Sequence, residues 1–178
     1  MDYQKIIQQC LDGNRKAQRA LFDHFAPKML FLCRRYAVDD SEAEDMVQEG
    51  FIRLYTHLDK FRNTGAFEGW VRRIFINSAI KFYHRNRNHS GLKDLDGVHN
   101  ASDDSDALQT LSEKELLGLL TELPDGYRVV FNLYAIEGFS HAEIAEMLHI
   151  QESTSRSQLV KARKLLQVKV RDLQRVIL

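Results

Sequence analysis

The sequence predicts an all-α protein made of two small helical domains joined by a flexible acidic linker. Its 178 residues include only two prolines and nine glycines, and no segment sustains the apolar–polar alternation of a half-buried strand. Apolar residues instead recur every three to four positions, as on one face of an α-helix. The segment His89 to Asp106 breaks this pattern and is rich in Gly, Ser, Asn and Asp. We therefore expect a first domain over residues 1–88, a linker over 89–107 and a second domain over 108–178.

Cysteine usage and hydropathy narrow the class of protein. Cys10 and Cys33 fit neither a disulfide framework nor a C-x-x-C ligand pair, so we expect two buried thiols in a reducing compartment and no metal site or cofactor. The N-terminus lacks the charged-then-apolar pattern of a secretory signal, and no apolar run approaches the roughly 18 residues that span a bilayer. These features predict a cytoplasmic protein without direct membrane insertion.

The formal net charge is zero, but the charges are segregated along the chain. Residues 71–88 carry five basic side chains and no acid, residues 89–127 are strongly acidic, and residues 151–178 are basic again. Two basic surfaces flanked by acidic segments favour a polyanion binder with two sites, although ordinary solvated helix faces would carry charge in the same way.

The run "DDSEAEDMVQEGFIRLYTHLDKF" predicts a helix of the first domain. Ser41, three residues before Glu44, has the spacing of a capping box that would begin it. The expected buried face contains Val47, Phe51, Leu54, Tyr55 and Leu58. Gln48 and Glu49 lie off this stripe and are available to a partner.

A second helix of this domain, "EGWVRRIFINSAIKFYHRNR", interleaves aromatic and basic residues after the loop "FRNTGAF". Most of the aromatic residues are expected in the core. Aromatic rings beside cations also suit unstacked single-stranded bases, which need both a stacking surface and phosphate neutralisation.

The second domain contains the signals of two helices joined by a tight turn. Gly138 is expected to end the preceding helix, and Ser140 with Glu143 forms a capping box that opens "HAEIAEML". Another helix must begin near residues 152–154, because an apolar stripe resumes there with Leu159, Ala162, Leu165 and Leu166. A short helix, a tight turn and a longer basic helix are typical of a helix-turn-helix.

The face of the longer helix opposite this stripe is polar and basic. At 100° per residue it carries Ser153, Arg156, Ser157, Val160 and Lys164, with Lys161 and Arg163 on its flanks. Arg can bind guanine or phosphate, Ser offers adaptable hydrogen bonds, and Val can contact a thymine methyl. Together with the capping box and tight turn, this face favours DNA binding over an exposed basic helix without a partner.

The combined pattern resembles an extracytoplasmic-function sigma factor of bacterial RNA polymerase. The resemblance rests on "AEDMVQEGFIRLYTHLDKFRNTGAFEGWVRRIFINSAIKFY" and "LPDGYRVVFNLYAIEGFSHAEIAEMLHIQESTSRSQLVKARKLL", in this order across a polar linker, and covers nearly the whole chain. It implies a nonenzymatic transcription initiation factor that binds core RNA polymerase, reads −35 duplex DNA and stabilises melted −10 DNA. It also implies a cognate anti-sigma factor as a partner, and we expect the free protein to be a monomer.

The resemblance implies a role for particular residues of this sequence. Those expected to bind core polymerase are Asp45, Gln48, Glu49 and Arg53. Those expected to bind −10 DNA are Arg62, Asn63, Thr64, Phe67, Trp70, Arg73, Asn77 and Lys81. Those expected to bind −35 DNA are Ser153, Thr154, Arg156, Ser157, Val160, Lys161, Arg163 and Lys164.

Three residues depart from the pattern of the family that the chain resembles. His149 stands in the turn where Gly is usual, and a positive φ there would be less comfortable for His. Ser155 replaces a usual Val on the inward face, and its hydroxyl is expected to bond to a carbonyl one turn earlier. Gln158 replaces a usual Arg, so one DNA contact is expected to be lost.

Two other functions stay open at this point. The chain could be a helix-turn-helix regulator that binds duplex DNA without core polymerase, as a homodimer on a palindrome. It could also be an adaptor that sequesters an anti-sigma protein, although an intact DNA-reading face argues against pure mimicry. A hydrolase is disfavoured because no nucleophile and base occur at a diagnostic spacing.

Overall fold

The computed structural model describes residues 2–62, 66–90 and 113–177, with side chains at 2–62, 66–87 and 114–172. Every regular element in these ranges is helical, which confirms the predicted all-α class. The chain divides into two compact units, Met1–Phe82 and Tyr83–Leu178.

The first unit is built on four helices and a 3₁₀ turn. These are α1 (Tyr3–Leu11), α2 (Arg15–Arg34), α3 (Asp40–Thr56), the 3₁₀ turn Leu58–Lys60, and α4 (Phe67–Ser90), whose last residues belong to the second unit. Gly13, at φ +78°, permits the sharp reversal between α1 and α2, and the Asn14 carboxamide accepts hydrogen bonds from the first N–H groups of α2. Because α4 continues to Ser90, it enters the predicted linker by two residues, and the rest of that segment lies outside the described residues.

The start of α3 differs from the prediction. The N-cap is Asp39 rather than Ser41, and its carboxylate accepts the Glu42 N–H at 2.8 Å. The Glu42 carboxylate in turn accepts the Val38 N–H at 2.8 Å. The helix therefore begins two residues earlier than predicted, because Asp caps a helix as well as Ser and the chain is already extended at Asp39; the Glu42 carboxylate bonds the residue before the N-cap.

The core of the first unit forms where α2, α3 and α4 meet. Leu21 and Phe25 of α2, Leu54 of α3 and Phe75 of α4 are each at most 1% exposed. The backbones of α3 and α4 approach closely at Gly50, where an added Cβ would lie 2.4 Å from Cε1 of Phe75. Because residue 50 is glycine, the Phe75 ring can occupy the space that a side chain would otherwise fill.

After the end of α4, the described part of the second unit continues with two short helices, between which Arg128 makes hydrogen bonds. They are α5 (Glu113–Thr121) and α6 (Asp125–Phe131), and α6 continues as a π-helical turn over Asn132–Ile136. Arg128 is 3% exposed and donates to the Thr121 and Leu123 carbonyls and to the Asp125 carboxylate. Its guanidinium thus satisfies backbone acceptors at and after the end of α5, where the helix itself leaves carbonyls without partners.

The predicted helix-turn-helix is α7 (His141–Leu148) followed by α8 (Glu152–Ile177). Both halves of the Ser140–Glu143 capping box are formed, and Gly138 has the positive φ expected after a helix end. The inward stripe of α8 includes Leu159, Ala162 and Leu166 as predicted, and Val170 extends it. Leu165 was predicted in this stripe but is 38% exposed and lies beside it. Successive side chains of an α-helix are rotated by about 100°, so the neighbour of the buried Leu166 points away from the core.

Two further predictions concern thiols and membrane spans. Cys10 and Cys33 are buried free thiols, as expected, and burial raises the pKa of Cys33 to about 12. Among the described residues, no helix combines the length and apolar character needed to cross a bilayer.

Candidate protein- and nucleic-acid-binding surfaces

The first candidate surface, the α3 face, consists of the outward positions of α3. Asp45 and Gln48 are exposed, and Glu49 is partly buried. Ile52 lies among them at i+7 from Asp45 and i+4 from Gln48, with 67% of its surface exposed. Sequence reasoning missed Ile52, although its position off the Val47–Leu54 stripe was a usable signal. A single exposed isoleucine is ordinary on a protein surface, so Ile52 gains its interest from lying among the residues already expected to bind a protein partner.

Glu49 pairs with two cations, one on its own helix and one on α4. Its Oε1 accepts from Arg53 Nη2 at 2.8 Å and from Lys81 Nζ of α4 at 2.6 Å. The hydrogen bond from Lys81, followed by that from Arg53, holds the pKa of this carboxyl below its usual value. One carboxylate therefore joins residues that were expected to serve two different partners.

The second candidate surface, the α4 stripe, runs along one side of α4. It consists of Trp70, Arg73, Asn77 and Lys81, at successive spacings of three and four residues. The last three are exposed, and Trp70 is half-buried. The stripe thus combines a ring, two cations and a carboxamide, which suit stacking, phosphate neutralisation and base-edge hydrogen bonding in turn.

Phe67 does not belong to this surface. It is 3% exposed, and its ring packs 5.0 Å from Tyr3, 5.0 Å from Phe61 and 5.7 Å from Trp70, centroid to centroid. The expectation that Phe67 meets DNA is corrected, because the ring is enclosed by α1 and the turn before α4. The Phe67 ring packs against the Trp70 ring instead.

Two other predicted DNA contacts in this loop cannot be placed. Arg62 is exposed, whereas Asn63 and Thr64 lie outside the described residues.

The third candidate surface, the α8 reading face, is the outward side of the N-terminal half of α8. Ser153, Arg156 and Lys164 are exposed, and the other predicted −35 residues are half-buried: Thr154, Ser157, Val160, Lys161 and Arg163. Arg156 pairs with Glu152 one turn earlier. The flanking cations lie over aromatic rings, Lys161 over Tyr127 at 5.8 Å and Arg163 over Tyr134 at 6.0 Å, which fixes their direction.

The three departures noted in the sequence have defined structural consequences. His149 has φ +53°, so the left-handed conformation foreseen for this turn is present and costs about 1 kcal/mol relative to Gly. Ser155 donates to, or accepts from, Nδ1 of His141 at 2.9 Å, rather than bonding the carbonyl one turn back as expected. Gln158 is 3% exposed and packs over Gly126, so its side chain does not lie on the exposed face of α8; the expected loss of one DNA contact at this position stays a prediction.

His141 connects the two helices of the helix-turn-helix. Its ring stacks on Tyr134 with centroids 4.4 Å apart, besides its bond to Ser155. Burial, followed by the nearby Arg156 and Arg163 cations, lowers the pKa of His141, while Glu152 opposes the shift. These surroundings therefore favour the neutral ring.

Lowering the pH should loosen this contact. The pKa of His141 in the folded protein lies below the ordinary 6.5, so the unfolded chain binds the proton first as the pH is lowered. The stability of the second unit therefore falls as the pH drops below about 6.5, and it levels off below the pKa of the folded state. NMR titration of the ring should give a midpoint below 6.5, and Arg156→Gln should raise it. A midpoint of 6.5 or higher would contradict this prediction.

Comparisons with known proteins address both units. The family model described as Sigma-70 region 2 matches residues 21–89, and that described as Sigma-70, region 4 matches residues 106–166. Relatives include the ECF RNA polymerase sigma-E factors of Escherichia coli (strain K12) and Salmonella typhi, each 30% identical over 97% of this chain and 96% of the relative. The factor of the same name from Haemophilus influenzae is 27% identical, with 96% of each chain covered.

Two solved structures share the fold. CnrH in complex with the cytosolic domain of CnrY matches with a TM-score of 0.50 at 21% identity, covering 94% of this chain and 96% of that one. The sigma factor RpoE in complex with the anti-sigma factor NepR from Bartonella quintana matches with a TM-score of 0.51 at 19% identity, covering 86% and 96%. At these identities the likeness concerns the fold alone.

Proposed function

Because the chain belongs to the extracytoplasmic-function sigma factors, the transcription initiation factors that direct RNA polymerase to promoters, we propose that its three surfaces divide this work. The α3 face binds core polymerase, the α4 stripe binds melted −10 DNA, and the α8 reading face binds −35 duplex DNA. The observation that carries the proposal is the α8 reading face itself: a basic, outward helix side set by a capping box and a left-handed turn.

The α8 reading face suits a major groove. Arg156 lies near the N-terminal end of α8, where recognition helices of this motif meet base edges. Its ion pair with Glu152 is exposed, so exchanging that carboxylate for a guanine edge or a phosphate costs little. Ser157 and Val160 flank it with a hydroxyl and methyl groups, and Lys164 adds a cation two turns further on.

The α4 stripe suits a single strand. Trp70 offers a stacking surface held by Phe61 and Phe67, and Arg73 lies one turn away to neutralise phosphate. Capture of an unstacked base offsets part of the cost of strand opening, which is a few kcal/mol per base. The nucleotide chemistry belongs to polymerase, so this chain acts without catalytic residues of its own.

Regulation by an anti-sigma factor is part of the proposal. One of the solved structures named above contains a sigma factor bound to an anti-sigma factor, and the other contains CnrH bound to the cytosolic domain of CnrY. We expect such a partner to cover the α3 face, because an exposed Ile52 has to be shielded from polymerase if transcription is to be withheld. The free chain is expected to act as a monomer in the cytoplasm, where core polymerase and the chromosome are found.

The deciding experiment is run-off transcription with purified core polymerase on a library of genomic fragments. We expect a defined set of fragments to yield transcripts only when the chain is added. Absence of promoter-selective transcripts would overturn the proposal. Binding of a palindromic duplex as a homodimer, without polymerase, would instead support a helix-turn-helix regulator, and capture of an anti-sigma protein without promoter binding would support an adaptor.

Arg156→Ala should lower the affinity of the holoenzyme for −35 duplex DNA about tenfold, since one good base or phosphate contact contributes 1–3 kcal/mol. Arg171→Ala is the matched control, because it removes the same charge from an exposed position about 22 Å further along α8. Electrophoretic mobility shifts on a selected promoter measure both variants. Equal losses for the two would indicate that general charge, and not the reading face, determines binding.

A further inference from the structure

Lys81 and Glu49 form the ion pair that joins the α3 face to the α4 stripe. The Lys81 ammonium lies 2.6 Å from Glu49 Oε1, and Arg53 donates to the same oxygen at 2.8 Å. Lys81 approaches from another helix, 32 residues away in sequence, so the pair is a tertiary contact rather than a local one. The cation expected to meet DNA phosphate is therefore already paired in the free chain.

The environment of the pair is asymmetric. The Glu49 side chain is 29% exposed, whereas that of Lys81 is 60% exposed. Lys81 can therefore leave without burying or stranding a charge, because water replaces its partner. The carboxylate keeps Arg53, and a further cation that approaches it from the α3 face would repel Lys81 and weaken its hold.

We propose that Glu49 couples polymerase docking to −10 strand binding, by holding Lys81 away from DNA phosphate in the free chain and releasing it when a cation of core polymerase takes the carboxylate. This inference rests on the proposed function, and it gives Glu49 a positioning role in addition to direct contact.

The coupling must be reciprocal. If polymerase raises the affinity of the α4 stripe for a strand by some factor, then a bound strand raises the affinity for polymerase by the same factor. Both effects pass through Lys81, so both disappear when that ammonium is removed.

The test measures binding of the full chain, without polymerase, to a fluorescein-labelled single-stranded oligonucleotide of mixed sequence over a range of NaCl concentrations. Glu49→Gln should bind about twofold to fivefold more tightly at low salt, the size expected from one exposed ion pair. The slope of log affinity against log salt should steepen by about 0.7, because one more phosphate is neutralised. A purely structural role for Glu49 would not steepen that slope.

Two further variants separate the ion pair from general charge. Glu44→Gln makes the same chemical change at an exposed position of α3, for which no ion pair is present among the described residues, and should leave affinity and slope as in the wild type. In a Lys81→Met background, Glu49→Gln should produce no gain. The inference would be overturned if Glu49→Gln did not raise the affinity for the oligonucleotide, including the case in which binding is too weak to measure. It would also be overturned if the increase in affinity persisted without Lys81.

A parallel measurement of core polymerase binding distinguishes failure of the proposed coupling from failure of the proposed function. A wild-type chain that binds core polymerase, combined with no gain in Glu49→Gln, overturns the coupling alone. A wild-type chain that fails to bind core polymerase overturns the proposed function and the coupling with it.

Discussion

Ile52→Glu should reduce the affinity of the chain for core polymerase by about 30-fold or more, the range of an interface hot spot. Ile52 is 67% exposed at the centre of the α3 face, so its side chain is free to be buried by a partner that docks there. Glutamate at this position would bring a charge into that contact and place it one turn from Glu49. Its helix propensity is at least as good as that of Ile, so α3 itself should remain intact.

Leu11→Glu is the matched control for this prediction. Leu11 is 46% exposed at the end of α1, outside the residues that define the α3 face, and the same apolar-to-acid change there should leave polymerase affinity unaltered. Biolayer interferometry with purified core polymerase measures both variants, and fluorescence of the single tryptophan, Trp70, verifies that the first unit is folded. Equal affinity of Ile52→Glu and wild type would show that α3 does not dock through this face.

Features with a local chemical signal could be predicted from the sequence. The capping box of Ser140 and Glu143 and the helix end at Gly138 each depend on residues within one turn of one another, and all are present. The start of α3 was misplaced because Asp39, Asp40 and Ser41 are adjacent and all able to cap, so their order alone does not decide which one is extended.

Features that depend on distant residues could not be predicted in the same way. Phe67 is enclosed by Tyr3 and Phe25, which are remote in sequence, and periodicity carries no information about such neighbours. The partner of Ser155 is likewise a ring 14 residues earlier rather than a carbonyl of its own helix.

Helical periodicity gives the direction of a side chain but not its depth or its partner. A lost DNA contact was expected at Gln158 because Arg is usual there, but periodicity did not show that this side chain is buried over Gly126. The pairing of Glu49 with Lys81 is invisible for the same reason, since it requires the relative placement of α3 and α4. The predicted DNA and polymerase contacts therefore remain predictions at the level of single residues, while the surfaces that carry them are defined.

Gly50→Ala should destabilise the first unit by about 1–3 kcal/mol, the usual cost of overpacking a core. The added Cβ would lie 2.4 and 2.5 Å from Cε1 and Cδ1 of Phe75, a fully buried ring that would have to shift. The greater helix propensity of Ala, at most about 1 kcal/mol, offsets only part of this cost. Urea unfolding followed by Trp70 fluorescence reports the first unit selectively, since the chain has no other tryptophan.

Two variants make the steric cause testable. Gly69→Ala, in the first turn of α4 with nothing within 4 Å of the added Cβ, should be neutral or slightly stabilising. Phe75→Leu removes the ring that Gly50→Ala would strike, so the double variant should be more stable than the sum of the two single losses predicts, by about 1 kcal/mol or more. Strict additivity would mean that the cost of Gly50→Ala does not come from contact with Phe75. A positive coupling would show that glycine at position 50 is needed for the packing of α3 on α4. That packing also sets the distance across which Lys81 reaches Glu49.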